Sequence, residues 1–309
     1  MSVPTPAPAM QPTVVPSQQK QWTEDGKIET RSAAIWKRFR KNKLAVAGLI
    51  IFALLVLMAI MAPWISPHDP EVFDIMESNL PPSALHPFGT DSYGADILTR
   101  IFYGARVSLS VAIIAMTFTV TIGVLYGAIS GYFGGLVDNI MMRIVDAIQS
   151  TPTFFFTLIV ATLMVPGMWT VIIALTVFGW TRMARIVRGE ILSLKERDYI
   201  EAARASGESN ASIIFYHVLP NMIGPIIVIA TLDVAGNILA ESTLSFLGLG
   251  IQPPTPSWGN MLTSAQDLPT IMDYAWIAVF PGLFIVLAVL SVNFIGDGLR
   301  DALDPRSKK

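Results

Sequence analysis

Long apolar segments without charged residues constrain the fold of this chain more than any other feature. The clearest is Leu44–Ala62, which is long enough to cross about 30 Å of hydrocarbon as a helix. Lipid offers no hydrogen-bond partner to an exposed backbone, so segments of this length at that depth form helices. Similar segments follow along the chain at about 107–133, 140–165, 169–186, 222–249 and 275–295. We therefore predict an all-α integral membrane protein with six transmembrane helices, the third kinked at Pro152.

Composition excludes several classes of function. Charged residues make up 14% of the chain, against about 25% in a typical soluble domain. A net charge of −2 gives no reason to expect a nucleic-acid partner. The chain has no cysteine, which excludes disulfides, thiolate catalysis and cysteine metal sites. His68, His86 and His217 are scattered along the sequence, so we expect no ligand cluster and no metal site.

The chain divides into four regions by composition. Residues 1–32, rich in Pro, Gln, Thr and Ser, are predicted to be a disordered cytoplasmic tail. Residues 33–99 combine a basic amphipathic run, the first transmembrane helix and an acidic extracytoplasmic loop. Residues 100–298 form the main transmembrane domain, and residues 299–309 form a cytoplasmic tail.

Basic residues predict the orientation of the spans. Loops 63–99, 166–170 and 250–275 contain none of the 21 Lys and Arg residues. The segments before the first span, after the sixth, and between the fourth and fifth are rich in them. The positive-inside rule therefore places both termini and the segment between the fourth and fifth spans in the cytoplasm. We predict a multi-pass protein of the cytoplasmic membrane.

The segment Tyr199–Pro220 predicts two short helices joined by a glycine. The run from Glu201 to Ala205 consists of good helix formers. Gly207 supplies a left-handed stop, and Ser209 can cap a second helix. Pro220 is expected to break the chain before the next apolar run. A helix–glycine–helix on the surface of a membrane protein is suited to docking on a partner.

Polar and small residues recur at helical spacing inside two spans. Asp233, Asn237 and Glu241 lie four residues apart and share one face of the fifth span. Such groups usually face a bundle interior or a wet cavity, so they either line a translocation pathway or form a hydrogen-bonded packing network. Gly123, Gly127 and Gly131 form a groove on the second span, which accepts either a partner subunit or a helix of this chain. Arg143 and Asp146 are spaced to pair with each other.

The sequence has no motif that would make the chain an enzyme. It lacks the phosphate-cradling G-x-x-x-x-G-K-[ST] and the dinucleotide fingerprint G-x-G-x-x-G, and it lacks H-E-x-x-H and G-x-S-x-G. We expect no catalytic residue and no cofactor bound by this chain. The chain therefore moves or anchors something. A stand-alone secondary carrier driven by an ion gradient and a membrane scaffold or channel remain alternatives at this point.

The segment between the fourth and fifth spans resembles the cytoplasmic EAA loop of ABC importer permeases. Glu201, Ala202 and Ala203 match E-A-A, Gly207 follows at the expected spacing, and Leu219-Pro220 completes the motif. His217 gives the H-x-L-P variant of the peptide-importer branch. The motif is specific because its full spacing is present.

The resemblance covers nearly the whole chain beyond its first residues. The segments WKRFRKNKLAVAGLIIF, HPFGTDSYGADILTRIFYGARVSL and NFIGDGLRDALDPR are similar to the C-type subunit of dipeptide, oligopeptide and nickel importers. One departure is Ala95, where the family pattern has arginine. A type I permease fold is implied, with the EAA coupling loop at 196–220.

The resemblance also implies partners and site residues. In its lipid membrane, the importer would be completed by a B-type permease subunit, two ATPase subunits that bind ATP and magnesium, and an extracytoplasmic peptide-binding protein. Glu201, Ala202 and Ala203 would be the face that docks on the ATPase, and Gly207 would set the angle between the two helices. Short peptides are the expected substrate, and nickel chelates and glutathione are alternatives within the same type of permease.

Overall fold

The computed structural model of the protein describes residues 31–304. Within that range the chain forms helices and turns and no β-strand. Most of the predicted N-terminal tail lies outside the described residues, as do residues 305–309. Arg31 and Ser32, which were predicted to end the tail, instead begin the first helix.

Twelve α-helices follow one another in the described part of the chain. They are α1 (Arg31–Phe39), α2 (Lys43–Ile65), α3 (Ile97–Phe133), α4 (Gly135–Gln149), α5 (Thr153–Leu163), α6 (Met168–Leu194), α7 (Asp198–Ala205), α8 (Asn210–Ser212), α9 (Leu219–Phe246), α10 (Trp258–Met261), α11 (Leu268–Asp273) and α12 (Trp276–Leu303).

Five helical segments are long and apolar enough to cross a membrane, and a sixth span is broken. The five are α2, α3, α6, α12 and the continuous helix Asn210–Phe246, which contains α8 and α9. The broken span is the pair α4 and α5, whose axes differ by 80°. The prediction of six spans is confirmed with this pair counted as one. The predicted kink is a full break, because Pro152 lacks an N–H and disfavours helical geometry in the preceding residue.

Two span boundaries differ from the sequence prediction. Helix α3 begins at Ile97 instead of near 107, because the Asp96 carboxylate caps it by accepting a hydrogen bond of 2.8 Å from the backbone N–H of Thr99. Helix α12 runs to Leu303, so residues 299–303 belong to a helix and not to a tail. This last turn is held by contacts of Leu299 and Ala302 with Phe39 of α1.

The glycine groove of α3 packs against α6 of the same chain. A Cβ atom at Gly123 would lie 2.6 Å from the Met183 Cβ, and one at Gly127 would overlap the carbonyl oxygen of Ala184. Gly131 meets Arg188 and Ile191 in the same way. The groove therefore serves internal packing, and the alternative of a partner subunit in this groove is wrong.

The loop between α2 and α3 is fastened to the start of α3 by two histidines. His86 is buried, its Nδ1 lies 3.0 Å from Asp96 Oδ1, and its ring stacks on His68 with centroids 4.8 Å apart. The expectation that these histidines are scattered is therefore wrong for this pair. One ring nitrogen of each histidine and one carboxylate oxygen of Asp96 all lie within 4.8 Å of one another. Because the two rings stack on each other and His86 contacts Asp96, the pair holds the loop against the N-terminal cap of α3.

The α3–α6 packing gives a direct test. We expect Gly127→Ala to lower the free energy of unfolding by about 1–3 kcal/mol, since overpacking forces two helices apart. Gly189→Ala is the matched control on α6, because no atom lies within 4 Å of a Cβ there. Thermal unfolding of the purified protein measures both, and equal midpoints for the two variants would contradict this packing.

Candidate functional site: the 196–220 loop and the polar face of α6

The 196–220 loop has the predicted helix–glycine–helix form. Helix α7 ends at Ala205, and Gly207 follows with a φ of 81°, a conformation that glycine adopts at little cost. Ser209 then caps the next helix, its hydroxyl accepting a 3.2 Å hydrogen bond from the N–H of Ser212. These local features were readable in the sequence because each rests on one residue type.

The two faces of α7 have different surroundings. Ile200 and Ala203 are buried, against a cluster that includes Val187 and Ile191 of α6 and Ile213 of the following helix. Glu201 and Ala202 are exposed. The prediction that all three EAA residues form a docking face is therefore wrong for Ala203, whose methyl group attaches the loop to its own chain.

Polar contacts add to this attachment. The Tyr132 hydroxyl at the end of α3 donates a 2.9 Å hydrogen bond to the Asn210 side chain. The guanidinium of Arg204 lies 5.2 Å from the centre of the Tyr132 ring, within the range of a cation–π contact. Lys195 donates a 3.3 Å hydrogen bond to the carbonyl of Gly131. The loop therefore moves with the adjacent ends of α3 and α6.

Glu208 closes the turn after Gly207. One carboxylate oxygen accepts a 2.9 Å hydrogen bond from the Ser212 hydroxyl and lies 3.0 Å from Nε2 of His217. The Ser212 hydroxyl and the His217 ring hold the pKa of Glu208 below its usual range. The stabilisation is therefore present above the ordinary carboxyl pKa and is lost as the pH falls through the lowered value. His217 marked the family variant, but its contact with Glu208 was not predicted.

Pro220 does not break the chain. Leu219 and Pro220 occupy the first turn of α9, directly after a π-helical turn over Ile213–Val218. Proline is tolerated in a first turn, and the wider π-helical turn carries the chain into α9 without interruption. The second arm of the loop is therefore the start of the fifth span, and the expected break at Pro220 is wrong.

A row of arginines on α6 pairs with carboxylates of other helices. Arg188 binds both oxygens of Asp138 on α4, with its Nε 2.6 Å from Oδ1. Arg185 lies 2.6 Å from Asp146, so the predicted pairing of Asp146 with Arg143 is wrong. Helices α4 and α6 run antiparallel through these contacts.

The last arginine of the row, Arg182, is paired most loosely. Its Nη1 lies 3.9 Å from Asp233 of α9, and its side chain is 67% exposed. Both residues line a cavity of about 500 Å³ at the break between α4 and α5, which we call the break pocket. Its other walls include Gln149, Thr151, Pro152 and Phe178. Arg182 was not predicted as a site residue, although an arginine inside a predicted span is a recognisable signal.

The three polar residues of the fifth span do not share one environment. Asp233 lines the break pocket, whereas the Asn237 amide donates a 3.2 Å hydrogen bond to the Ala112 carbonyl of α3. Glu241 is 0% exposed and accepts 2.8 Å hydrogen bonds from Ser108 and Ser245. Within this chain Glu241 belongs to a packing network and lines no accessible surface, whereas Asp233 faces the break pocket.

The packed spans, the broken span and the partly exposed linking loop define the chain as a polytopic membrane protein. Residues 123–309 match the family described as binding-protein-dependent transport system inner membrane component, and the chain belongs to this family. Residues 30–82 match the N-terminal transmembrane domain of oligopeptide transport permease C.

Similar proteins cover most of the chain. The dipeptide transport system permease protein DppC of Bacillus subtilis is 48% identical over 89% of this chain and 85% of its own length. The oligopeptide transport system permease protein OppC of the same organism is 43% identical over 92% and 93%. OppC of Haemophilus influenzae is 43% identical over 92% of each chain.

A solved structure shows the same fold. A chain of the MetNI methionine ABC transporter, in an inward-facing conformation, superposes with a TM-score of 0.53. The match covers 65% of this chain and 95% of the other at 19% identity. The all-helical ABC importer permease fold expected from the sequence is therefore confirmed.

The two neighbouring alanines of α7 give a matched test of the buried face. Ala203→Asp is expected to destabilise the protein by about 2 kcal/mol or more, because it buries a carboxylate without a partner. Ala202→Asp is expected to leave the unfolding midpoint nearly unchanged. Thermal unfolding of both purified variants checks this, and an undiminished midpoint for Ala203→Asp would show that α7 is not packed here.

The Glu241 network gives a second test. Glu241→Leu removes the acceptor of two buried hydroxyls, and each hydroxyl left unsatisfied costs about 1–3 kcal/mol. Glu241→Gln keeps one acceptor oxygen and is expected to cost clearly less. The difference between the two unfolding midpoints is the readout, and a Leu variant as stable as the Gln variant would count against the network.

Proposed function

We propose that the chain is one of two permease subunits of an ATP-driven importer of short peptides, with the 196–220 loop as the element that couples it to an ATPase. The observation that carries the proposal is the loop itself. Its exposed face presents Glu201 and Ala202, and its buried face is fixed to the transmembrane helices. A rigid element that has one free face and one anchored face transmits the movement of a partner to the membrane.

Peptide substrates are supported by the relatives. The proteins named above carry dipeptide or oligopeptide transport in their names. The similarity to the two Bacillus subtilis proteins covers 89% and 92% of this chain. Nickel chelates and glutathione remain alternatives within the same type of permease, and the ligand of the extracytoplasmic binding protein decides among them.

The distribution of charge supports a cytoplasmic position of the loop and both termini. The segment with α1 and the segment with α7 are rich in lysine and arginine, whereas the α2–α3 loop contains none up to Thr99. The ATPase subunits that we propose would then meet the loop from the cytoplasm, and the binding protein would deliver peptide from the other side.

ATP and magnesium are proposed to bind to the partner subunits. This chain has no phosphate-cradling loop in its sequence, so it acts as the driven component and not as an enzyme. A docked ATPase would push on α7. That movement passes through Ile200 and Ala203 to α6, and through the uninterrupted arm of the loop to α9.

The ion pairs of α6 extend this path to the broken span. Since Arg185 and Arg188 tie α4 to α6, a displacement of α6 carries α4 with it. Helix α5 lies beyond the break and packs on α6 through Ala161, in an apolar cluster with Val171 and Ile172, and through the stacked rings of Phe156 and Phe178. Both halves of the broken span therefore follow a displacement of α6.

The coupling role predicts a specific defect for Ala202→Tyr. The added ring is expected to block close docking and to lower peptide uptake at least about tenfold, a loss of roughly 1.4 kcal/mol of coupling, while the subunit stays folded in the membrane. Ala33→Tyr on the exposed surface of α1 is the matched control. Uptake by reconstituted complexes containing all partner subunits is measured, together with ATPase co-purification. Undiminished uptake by Ala202→Tyr would refute the docking face.

A secondary carrier is the rival from another class. Gradient-driven peptide uptake by this chain alone in proteoliposomes, without an ATPase, would favour the carrier over the importer subunit.

A further inference from the structure

The break pocket lies about half-way along α6 and α9. Arg182 is about 20 Å from either end of α6, at a rise of about 1.5 Å per residue. Asp233 occupies the corresponding position in α9, half-way along the helix. Arg182 lies about one turn inside the end of the span predicted at 169–186, and Asp233 lies inside the span predicted at 222–249. An ionisable side chain that faced lipid there would be costly.

Arg182 and Asp233 do not form a hydrogen bond with each other. A separation of 3.9 Å between Arg182 Nη1 and Asp233 Oδ1 is too long for a hydrogen bond, in contrast to the 2.6 Å pair of Arg185 and Asp146. The Arg182 side chain is 67% exposed and that of Asp233 is 17% exposed. The partly buried carboxylate and the exposed guanidinium both remain accessible to a ligand.

The pocket has the size and lining of a small-ligand site. Its volume of about 500 Å³ lies within the ~300–1,000 Å³ of typical ligand pockets. The break contributes polar backbone, since Pro152 at the start of α5 makes no side-chain cap. The Gln149 amide is already held by the Thr181 hydroxyl at 3.1 Å, and Phe178 forms an apolar wall.

We propose that the break pocket is a transient binding station for short peptides in transit, at which Arg182 binds the terminal carboxylate and Asp233 binds the terminal ammonium. The inference rests on the proposed function. The termini of an extended dipeptide lie about 7 Å apart, and Arg182 can swing away from Asp233 to accept that span. Because the main-chain termini are recognised, the pocket accepts peptides with different side chains.

The absence of cysteine from the sequence makes the test specific. Thr151→Cys places one thiol of this chain in the pocket wall, and Ser193→Cys places one on the exposed end of α6. The complex with its partner subunits is embedded in nanodiscs, which leave both membrane faces open, and maleimide labelling of this chain is followed by mass spectrometry. The probes are alanyl-alanine, its N-acetyl derivative and its C-terminal amide, added without the binding protein.

Alanyl-alanine is expected to slow labelling at Thr151→Cys and not at Ser193→Cys. Adding Arg182→Gln should raise the peptide concentration needed for half-protection at least about tenfold, the loss of one charge-assisted bond. Arg182→Lys should restore part of the protection. Arg143→Gln on the exposed side of α4 is the matched control and should change nothing. Asp233→Asn should abolish the preference for alanyl-alanine over its N-acetyl derivative.

Two outcomes would overturn the inference. One is labelling that alanyl-alanine does not slow at Thr151→Cys. The other is protection that Arg182→Gln and Asp233→Asn leave unchanged. Import by the unmodified complex is measured in parallel: import without protection refutes the binding station alone, whereas protection without ATP-driven import supports the station and refutes the importer function.

Discussion

The close packing of α3 on α6 is the contact on which the rest of the structure depends. Gly123, Gly127 and Gly131 allow the backbones to approach so closely that a single Cβ would meet side chains or carbonyl oxygens of α6. Without a hydrophobic effect between helices in lipid, such van der Waals contact and polar pairing are what hold them together. The packing fixes the rotation of α6, and that rotation directs its arginine row toward α4 and α9.

The arginine row of α6 combines tight and loose ion pairs in one helix. Arg188 and Arg185 are tightly paired with carboxylates of α4, and both pairs fasten half of the broken span. Arg182 stands at the break with a distant partner. The pairing therefore changes from tight to loose along α6 toward the break. The proposed binding station lies where the structural pairing ends.

The 196–220 loop extends the same packed body toward its proposed partner. Ile200 and Ala203 continue the α3–α6 core below the spans, and the π-helical turn over Ile213–Val218 joins the loop to α9 without a flexible link. Force applied at Ala202 therefore has a short path to two spans. The Glu208–His217 contact closes the turn on its exposed side.

The sequence by itself determined the helical class, the span count, the family and the form of the loop. Each depends on local chemistry: uncharged runs, a glycine with positive φ, a capping serine. It could not decide which face of a helix meets which neighbour. From the sequence, the glycine groove of α3 could pack against a partner subunit or against a helix of this chain. One face of the fifth span carries three polar residues, but the structure places them in three different environments: Asp233, Asn237 and Glu241. The sequence placed Ala203 on the docking face, whereas in the structure its side chain packs against α6. Only the tertiary structure settled these points, because burial and pairing depend on helix rotation and on side chains distant in sequence, such as Arg182 and Asp233.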